Sequence, residues 1–267
     1  SVSVAVDLPP NEHLTAPFRG TNAHGFVAMS SFPSSGGAQT SKRTFVAMPA
    51  VDGANAVLAD RPVLVASFTK LLTAVATLRM VERGELTLDD TIKTALPELA
   101  SRPWSDSTIR ELLTHTSRVP EFDERGGYYR KADIDVSTQS AVVSVLLKYV
   151  PADFTEKRGT YKYRNAELAI VGAILAARAK SDAESVLRRE VFEPAKMTHA
   201  GLLSKKAPTD LDMRTMGSIR PQNFFTAGAG YASASDLLSF FEALDSDVLL
   251  RDDSKKTLFD GRPERNH

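Results

Sequence analysis

Ser67 and Lys70 are the two residues whose types and spacing best suit covalent chemistry. They open the stretch Ala66–Glu82, in which apolar residues recur at helical spacing. Side chains three residues apart project from the same face of a helix. A serine hydroxyl becomes a strong nucleophile when a neighbouring base takes its proton, and a lysine amine can be that base where its surroundings lower its pKa. The positive end of the helix would also favour the developing alkoxide.

A purely structural interpretation of the same two residues stays open. Ser67 suits the N-cap of the helix, because a serine oxygen can accept a hydrogen bond from the free amides of the first turn. Lys70 would then be a solvated charge. The Ser-x-x-Lys spacing is a weak signal alone, so other parts of the chain must support the catalytic interpretation.

A second group of polar residues, Gly159–Asn165, lies directly before a predicted helix. A tyrosine such as Tyr163 can relay protons on a loop if cationic neighbours hold its phenolate, and Asn165 can orient a substrate amide. The alternative is that Tyr163 is a packed aromatic residue and Asn165 an N-cap. Taken alone, the residues favour this alternative.

Composition excludes several kinds of function. The 267 residues include 33 Lys and Arg and 33 Asp and Glu, so bulk charge gives no reason to expect nucleic acid. No stretch approaches the length of a membrane-spanning helix. The chain has no cysteine, which excludes disulfides, thiolate nucleophiles and cysteine-bound zinc. No pair of histidines has the spacing of metal ligands. We therefore expect no nucleic acid, no membrane span and no metal.

The start of the chain and its lack of cysteine bear on localisation. The chain begins at Ser1 without a visible export signal, so we expect it to be either processed or a defined piece. Absence of cysteine agrees with an exported bacterial protein. We expect a periplasmic or extracellular location.

The first 66 residues predict strands. Val2, Val4 and Val6 alternate with small residues, as in a half-buried strand. The tetrapeptide Phe-Val-Ala-Met occurs at 26–29 and again at 45–48. The Ser/Gly-rich stretch Ser34–Ser41 between the two copies predicts a hairpin loop.

The chain turns helical from residue 67 to about residue 200, and mixed after that. Capping patterns predict where several helices begin: Thr108 with Glu111, Ser137 before Ala141–Tyr149, and Ser181 with Glu184. Further helices are predicted at Ala166–Arg178, about Ser233–Leu244 and roughly Asp252–Phe259. The order indicates an α+β fold in which a helical region is inserted into a sheet-containing domain. We expect a single domain over 1–267, with its sheet in 1–70 and about 200–267 and a helical subdomain at about 71–199.

Several segments together resemble the serine β-lactamase and penicillin-binding protein family, particularly its class C and esterase-like branch. They occur in the family's order over roughly residues 60–260: Ser67–Lys70, Glu82–Asp90, Ile109–Ser117, Tyr163–Asn165, Phe192–Met197, Ala227–Gly230 and Ser233–Phe240. The resemblance implies a mixed sheet with flanking helices and an all-helical inserted subdomain, with the nucleophile where they meet.

The resemblance also implies roles for individual residues. Ser67 would be acylated, Lys70 and Tyr163 would share the proton transfers, and Asn165 would help to hold the substrate. His115 matches a structural position, so we expect a packed histidine and not a base. The implied activity is hydrolysis of a β-lactam, a D-amino-acid peptide or a small ester through an acyl-enzyme, with no cofactor. The alternative is a non-hydrolytic relative that binds a ligand or peptide, or serves as a scaffold.

Four residues, at three places in the chain, depart from the family pattern. Arg118 stands in place of the usual glycine, and Ala195-Lys196 in place of Leu-Gly. Arg164 replaces the common serine between Tyr163 and Asn165, which predicts a cation near the site.

The family's third motif, a Lys- or His-x-Gly triplet on a strand, has no match where it is expected. Lys256–Leu258 lacks the glycine and falls inside a predicted helix, and Ser34–Gly36 fits a hairpin loop better. That strand lines the acyl group and completes the oxyanion hole, and one lost oxyanion donor costs about 10²–10³ in rate. We therefore expect residues 1–267 alone to be an inefficient hydrolase that needs a partner strand or a missing C-terminal segment.

Overall fold

The computed structural model describes residues 26–31, 42–47, 60–123, 127–153, 157–203, 209, 211 and 218–260. At 26–31 and 42–47 it describes the backbone alone. The strand predicted from Val2, Val4 and Val6 and the loop Ser34–Ser41 lie outside these residues.

The described strands form two antiparallel sheets. β1 (Phe26–Ser31) pairs with β2 (Lys42–Ala47), with Phe26 opposite Ala47, which confirms the predicted hairpin. The second sheet has three short strands, β3 (Val63–Leu64), β4 (Gly201–Leu202) and β5 (Gly230–Ala232). β5 is the central strand and pairs with both neighbours. Because β3 ends just before Ser67, this sheet fixes where the first helix begins.

Helices make up most of the described chain. They are α1 (Thr69–Glu82), α2 (Ile92–Ala95), α3 (Ile109–Leu113), α4 (Gln139–Tyr149), α5 (Asn165–Ala179), α6 (Ala183–Leu187), α7 (Ala234–Asp245) and α8 (Asp252–Asp260). A π-helical turn, Arg188–Phe192, continues α6, and α7 lies alongside β1. No helix in the described ranges is long and apolar enough to cross a membrane.

α5 is the central helix of the core. Its residues from Ala166 to Ala176 are all buried, because α1, α3, α4, α6 and the segment Pro221–Ala227 surround it. A helix covered on all sides is apolar all round, which agrees with the Ala/Ile/Leu-rich sequence here. Close approach to Pro221–Ala227 needs a residue without a side chain: a Cβ on Gly172 would lie 2.1 Å from Thr226 Oγ1.

Two buried threonines on the first turns of α1 tie this helix to its neighbours. Thr69 donates its hydroxyl proton to the Ala66 carbonyl and accepts from the Gly230 amide at 2.9 Å. One turn later, the Thr73 hydroxyl is 2.9 Å from the Thr226 carbonyl. These bonds hold the N-terminal end of α1 against β5 and against Pro221–Ala227.

The predicted helix starts are correct in part. Thr108 and Glu111 form the predicted capping box. The predictions for the two later helices are wrong by one residue, because Thr138 caps α4 in place of Ser137 and Asp182 caps α6 in place of Ser181. Threonine and aspartate cap as well as serine does, so adjacent candidates cannot be separated by residue type.

Candidate active site

Ser67 lies in a single turn of 3₁₀-helix, Ala66–Phe68, directly before α1. It is exposed, and it does not cap the helix, since no side chain caps either the turn or α1. The prediction of Ser67 as an N-cap is therefore wrong. Ala66 adopts φ 46°, in the left-handed region that residues with a Cβ seldom occupy. The fold thus bends sharply just before the serine.

The four residues predicted for the site come together around the Ser67 hydroxyl. Ser67 Oγ lies 2.7 Å from Tyr163 Oη and 3.2 Å from Lys70 Nζ. Lys70 also donates to Asn165 Oδ1 at 2.9 Å and to the Ala227 carbonyl at 2.7 Å. Its ammonium lies 4.6 Å from the centre of the Tyr163 ring. The structure therefore places the Ser67 hydroxyl within direct hydrogen-bonding distance of both an amine and a phenol.

The partners of Lys70 define what it can do. Asn165 Oδ1 and the Ala227 carbonyl are acceptors only, so Lys70 donates to both. The third position on its nitrogen points at Ser67 Oγ. In the ammonium form that position carries a proton for Ser67 Oγ. In the neutral form it carries a lone pair that can take the Ser67 proton. In the bond between Ser67 and Tyr163, either hydroxyl can be the donor.

Ala227 was not predicted as a site residue. It ends the segment Pro221–Ala227, in which Phe225 adopts φ 46°. Thr226 fixes this segment to α5 by donating to the Leu168 carbonyl at 2.7 Å. Every residue has a backbone carbonyl, so no signal in the sequence could have identified Ala227.

The loop that carries Tyr163 is held to the end of α3. The Gly159 amide donates to the Thr116 carbonyl at 3.0 Å, and the Lys162 amide to the His115 carbonyl at 2.8 Å. Arg158 makes two bonds to the Glu111 carboxylate, at 2.5 and 2.8 Å. Burial opposes the charge on Glu111, but the hydrogen bonds and charge of Arg158, together with the hydrogen bonds from Thr108, outweigh it and lower the pKa of that carboxyl. The loop is therefore anchored at both of its ends.

His115 is packed, as expected, with its Nδ1 2.5 Å from Glu167 Oε2. Ser117 donates to the other oxygen of Glu167 at 2.5 Å, and the His115 ring centre lies 4.6 Å from that of Tyr163. Burial raises the pKa of the Glu167 carboxyl despite these bonds. The imidazole thus supports Tyr163 from behind through ring contact.

The sequence predicted that Arg164 would place a cation near the site, and this prediction is wrong. The exposed fraction of Arg164 is 2%, against 48% for Tyr163, so the two neighbours lie on opposite sides of the chain. The guanidinium acts on buried Glu167, where it favours the charged carboxylate. The cation therefore belongs to the core.

Asn165 is the first residue of α5 and not its N-cap. The Glu121 carboxylate accepts hydrogen bonds from the amides of Asn165 and Ala166 at 2.6 and 3.1 Å. It therefore caps the N-terminus of α5 from a distant part of the chain. The Asn165 side chain donates to the Tyr129 hydroxyl at 3.2 Å. Sequence reasoning missed both Glu121 and Tyr129.

Lys256–Leu258, considered as a third motif, lies within α8. Thr257 and Leu258 line a cavity of about 420 Å³ together with Ala74 and Leu78 of α1. None of the hydrogen bonds described above joins these four residues to Ser67, Lys70 or Tyr163. Ser34–Gly36 lies outside the described residues.

Comparison with known proteins gives one family. Residues 36–266 match the family model described as Beta-lactamase. A protein of Bacillus subtilis strain 168 that is named as a penicillin-binding protein, PbpX, is 28% identical over 207 residues, which are 73% of this chain and 49% of that protein. The chain spans about half the length, or less, of the curated relatives that it matches.

Solved structures share the fold. A penicillin-binding protein from Bacillus halodurans superposes with a TM-score of 0.67 at 20% identity, over 92% of this chain and 77% of that one. D-amino acid amidase from Ochrobactrum anthropi SV3, in complex with D-phenylalanine, gives a TM-score of 0.66 at 18% identity, over 92% and 71%. These similarities confirm the predicted α+β fold.

Proposed function

Since the chain belongs to the β-lactamase family, we propose that it is a serine hydrolase that cleaves an amide or ester through an acyl-enzyme on Ser67. One observation carries the proposal. The Ser67 hydroxyl is within hydrogen-bonding distance of two proton-transfer groups at once, Tyr163 and Lys70. This is the arrangement that activates a weak nucleophile.

The proposed reaction has two stages. In acylation, Ser67 Oγ attacks the carbonyl carbon while its proton passes to the Tyr163–Lys70 pair, and the same pair returns a proton to the leaving nitrogen or oxygen. In deacylation, the pair takes a proton from water as the water oxygen attacks the acyl carbon; the bond from that carbon to Ser67 Oγ then breaks, and the pair returns the proton to Oγ. The contacts of Lys70 with Asn165 and Ala227 hold its nitrogen in place for both stages.

The substrate is proposed by class. A β-lactam, a D-amino-acid amide or peptide, and a small ester all present a carbonyl that a serine can attack. The names of similar proteins, a penicillin-binding protein and a D-amino acid amidase, support the first two classes. Parallel assays with a chromogenic β-lactam, D- and L-phenylalanine amide and a nitrophenyl ester would rank them.

A covalent probe tests the proposal without knowledge of the substrate. The protein is incubated with a fluorophosphonate, and the adduct is located by peptide mass spectrometry. We expect one adduct, on Ser67, and none on the Ser67→Ala variant. An adduct on another serine, with Ser67 unmodified, would refute the assignment. Acylation without turnover of any of the substrates would favour the alternative function, a non-hydrolytic binding protein.

A further inference from the structure

The first observation is the Glu121 carboxylate at the start of the 15-residue helix α5. Its Oε2 accepts from the Asn165 amide at 2.6 Å. Its Oε1 accepts from the amides of Phe122 and Ala166, at 2.8 and 3.1 Å. Backbone amides only donate, so both oxygens of Glu121 act as acceptors.

This polarity passes to the neighbouring tyrosine. Tyr129 Oη lies 3.1 Å from Glu121 Oε1 and 3.2 Å from Asn165 Nδ2. Since Glu121 accepts, Tyr129 must donate its one proton to it, and its oxygen is then left as an acceptor. The group that Asn165 turns toward Tyr129 must therefore be its NH₂.

The other end of the Asn165 amide is then determined as well. With the nitrogen on Tyr129, Oδ1 faces Lys70 Nζ at 2.9 Å and accepts a hydrogen bond from it. A flipped amide would set NH₂ against the Lys70 nitrogen and remove one of the two carbonyl oxygens that hold it. When Lys70 is an ammonium, its bond to Oδ1 is charge-assisted and the stronger of the two, so the flip would cost more at Lys70 than at Tyr129.

Tyr129 is itself held in place. Its ring stacks on Phe224, with centres 4.2 Å apart and planes 17° from parallel. Phe224 belongs to Pro221–Ala227, the segment that also supplies the Ala227 carbonyl to Lys70. Burial, together with the nearby Glu121 charge, raises the pKa of the Tyr129 hydroxyl far above its usual range, so it keeps its proton at neutral pH.

We infer that Tyr129 and Glu121 are positioning residues that hold the Asn165 amide with its oxygen on Lys70. The inference rests on the proposed function, because its effect is on proton transfer at Ser67. The second hydrogen of Asn165 Nδ2 then stays available for an acyl oxygen of the substrate. Neither residue touches Ser67, so each acts through Asn165.

The test compares two neighbouring tyrosines in the same turn. Tyr129→Phe removes the hydroxyl that contacts Asn165 and keeps the stacked ring. Tyr128→Phe is the matched control, because its buried hydroxyl donates to the Asn223 carbonyl at 2.8 Å. The readout is the rate at which a fluorophosphonate at several concentrations phosphonylates Ser67 with loss of fluoride, measured by intact mass and normalised to the folded fraction.

We expect Tyr129→Phe to lower the phosphonylation rate at saturating probe about tenfold, the factor that corresponds to one hydrogen bond of typical net strength. The half-saturating concentration should change less than about twofold. Tyr128→Phe should leave both values within that range. In an Asn165→Ala background, Tyr129→Phe should cause no further loss, because the effect passes through Asn165. A purely structural role would give the same loss in both backgrounds.

Glu121→Gln gives a second variant if Tyr129→Phe folds poorly. A glutamine NH₂ would face the amides of α5, so we expect a similar loss that also vanishes in the Asn165→Ala background. An unchanged phosphonylation rate in folded Tyr129→Phe or Glu121→Gln would overturn the inference alone, while the wild type is still labelled on Ser67. A wild type that is not labelled on Ser67 would overturn the proposed function, and the inference with it.

Discussion

The proposed proton-transfer role of Lys70 and Tyr163 makes a quantitative prediction about their double mutant. Tyr163→Phe removes the 2.7 Å contact with Ser67 but keeps the ring beside His115. Lys70→Ala removes the 3.2 Å contact with Ser67 and both bonds that hold the amine. General acid–base catalysis is worth about 10²–10⁴ in rate, so each change should slow acylation by about a thousandfold.

The two losses should not multiply. Both residues are proposed to act on one proton, the one that leaves Ser67. Once one residue has been removed, little of the rate acceleration from the pair remains for the second mutation to abolish. Independent residues would give about a millionfold loss in the double mutant. We expect a double mutant within about tenfold of the slower single mutant, because groups that act as a unit are strongly non-additive.

The assay is single-turnover acylation followed by intact mass spectrometry, which needs no turnover and tolerates slow rates. Tyr161→Phe is the matched control, since Tyr161 lies in the same loop, is 60% exposed and has no bond to Ser67 among those described above. It should acylate at the wild-type rate. A double mutant slower than the wild type by the full product of the two single penalties would refute the reasoning.

Two further predictions concern stability, both measured by urea unfolding. Gly172→Ala should lower the free energy of unfolding by about 2 kcal/mol, because the new Cβ meets Thr226 Oγ1 at 2.1 Å; an unchanged value would show that Thr226 can move aside freely. Burial raises the pKa of Glu167, so its protonated form contributes stability that is fully present below the unfolded value of 4.5 and is lost as pH rises through the folded value. The stability of the wild type relative to Glu167→Gln should therefore fall as pH rises above about 4.5. Glu111 is the control of opposite sign, because its pKa is lowered, against the effect of burial, by Arg158 and Thr108. The stability of the wild type relative to Glu111→Gln should therefore be lost as pH falls below about 4.5. Equal slopes for both pairs would contradict the assignment.

Local signals in the sequence were enough for most elements. The hairpin follows from two copies of one tetrapeptide with a Ser/Gly-rich stretch between them, and α1 from helical spacing. The order of the motifs also predicted that Ser67, Lys70, Tyr163 and Asn165 would lie in one site, and they do lie close together. Ser67 was misplaced as a cap because a serine before a helix has the same signature whether it caps the helix or forms a turn of its own.

The residues that hold the site could not be predicted, since their partners are distant in the chain. Glu121 and Tyr129 lie 44 and 36 residues from Asn165, and no periodicity joins them. Ala227 contributes only a backbone carbonyl. The burial of Arg164 depends on Glu167 lying beneath it, which residue types do not reveal.

The two groups that contact Lys70 from Ser67 and Ala227 each lie within two residues of a strained backbone position. Ala66 and Phe225 both adopt φ 46°. Such residues cost on the order of 1–3 kcal/mol each, and the surrounding contacts must maintain them. In protein engineering, selection of a library for heat resistance alone should enrich Ala66→Gly. Glycine relieves the strain at residue 66, but it also gives more conformational freedom to the turn before Ser67. Only a selection that also scores reaction at Ser67 will retain the alanine, so thermal and catalytic screens of this protein will diverge at residue 66.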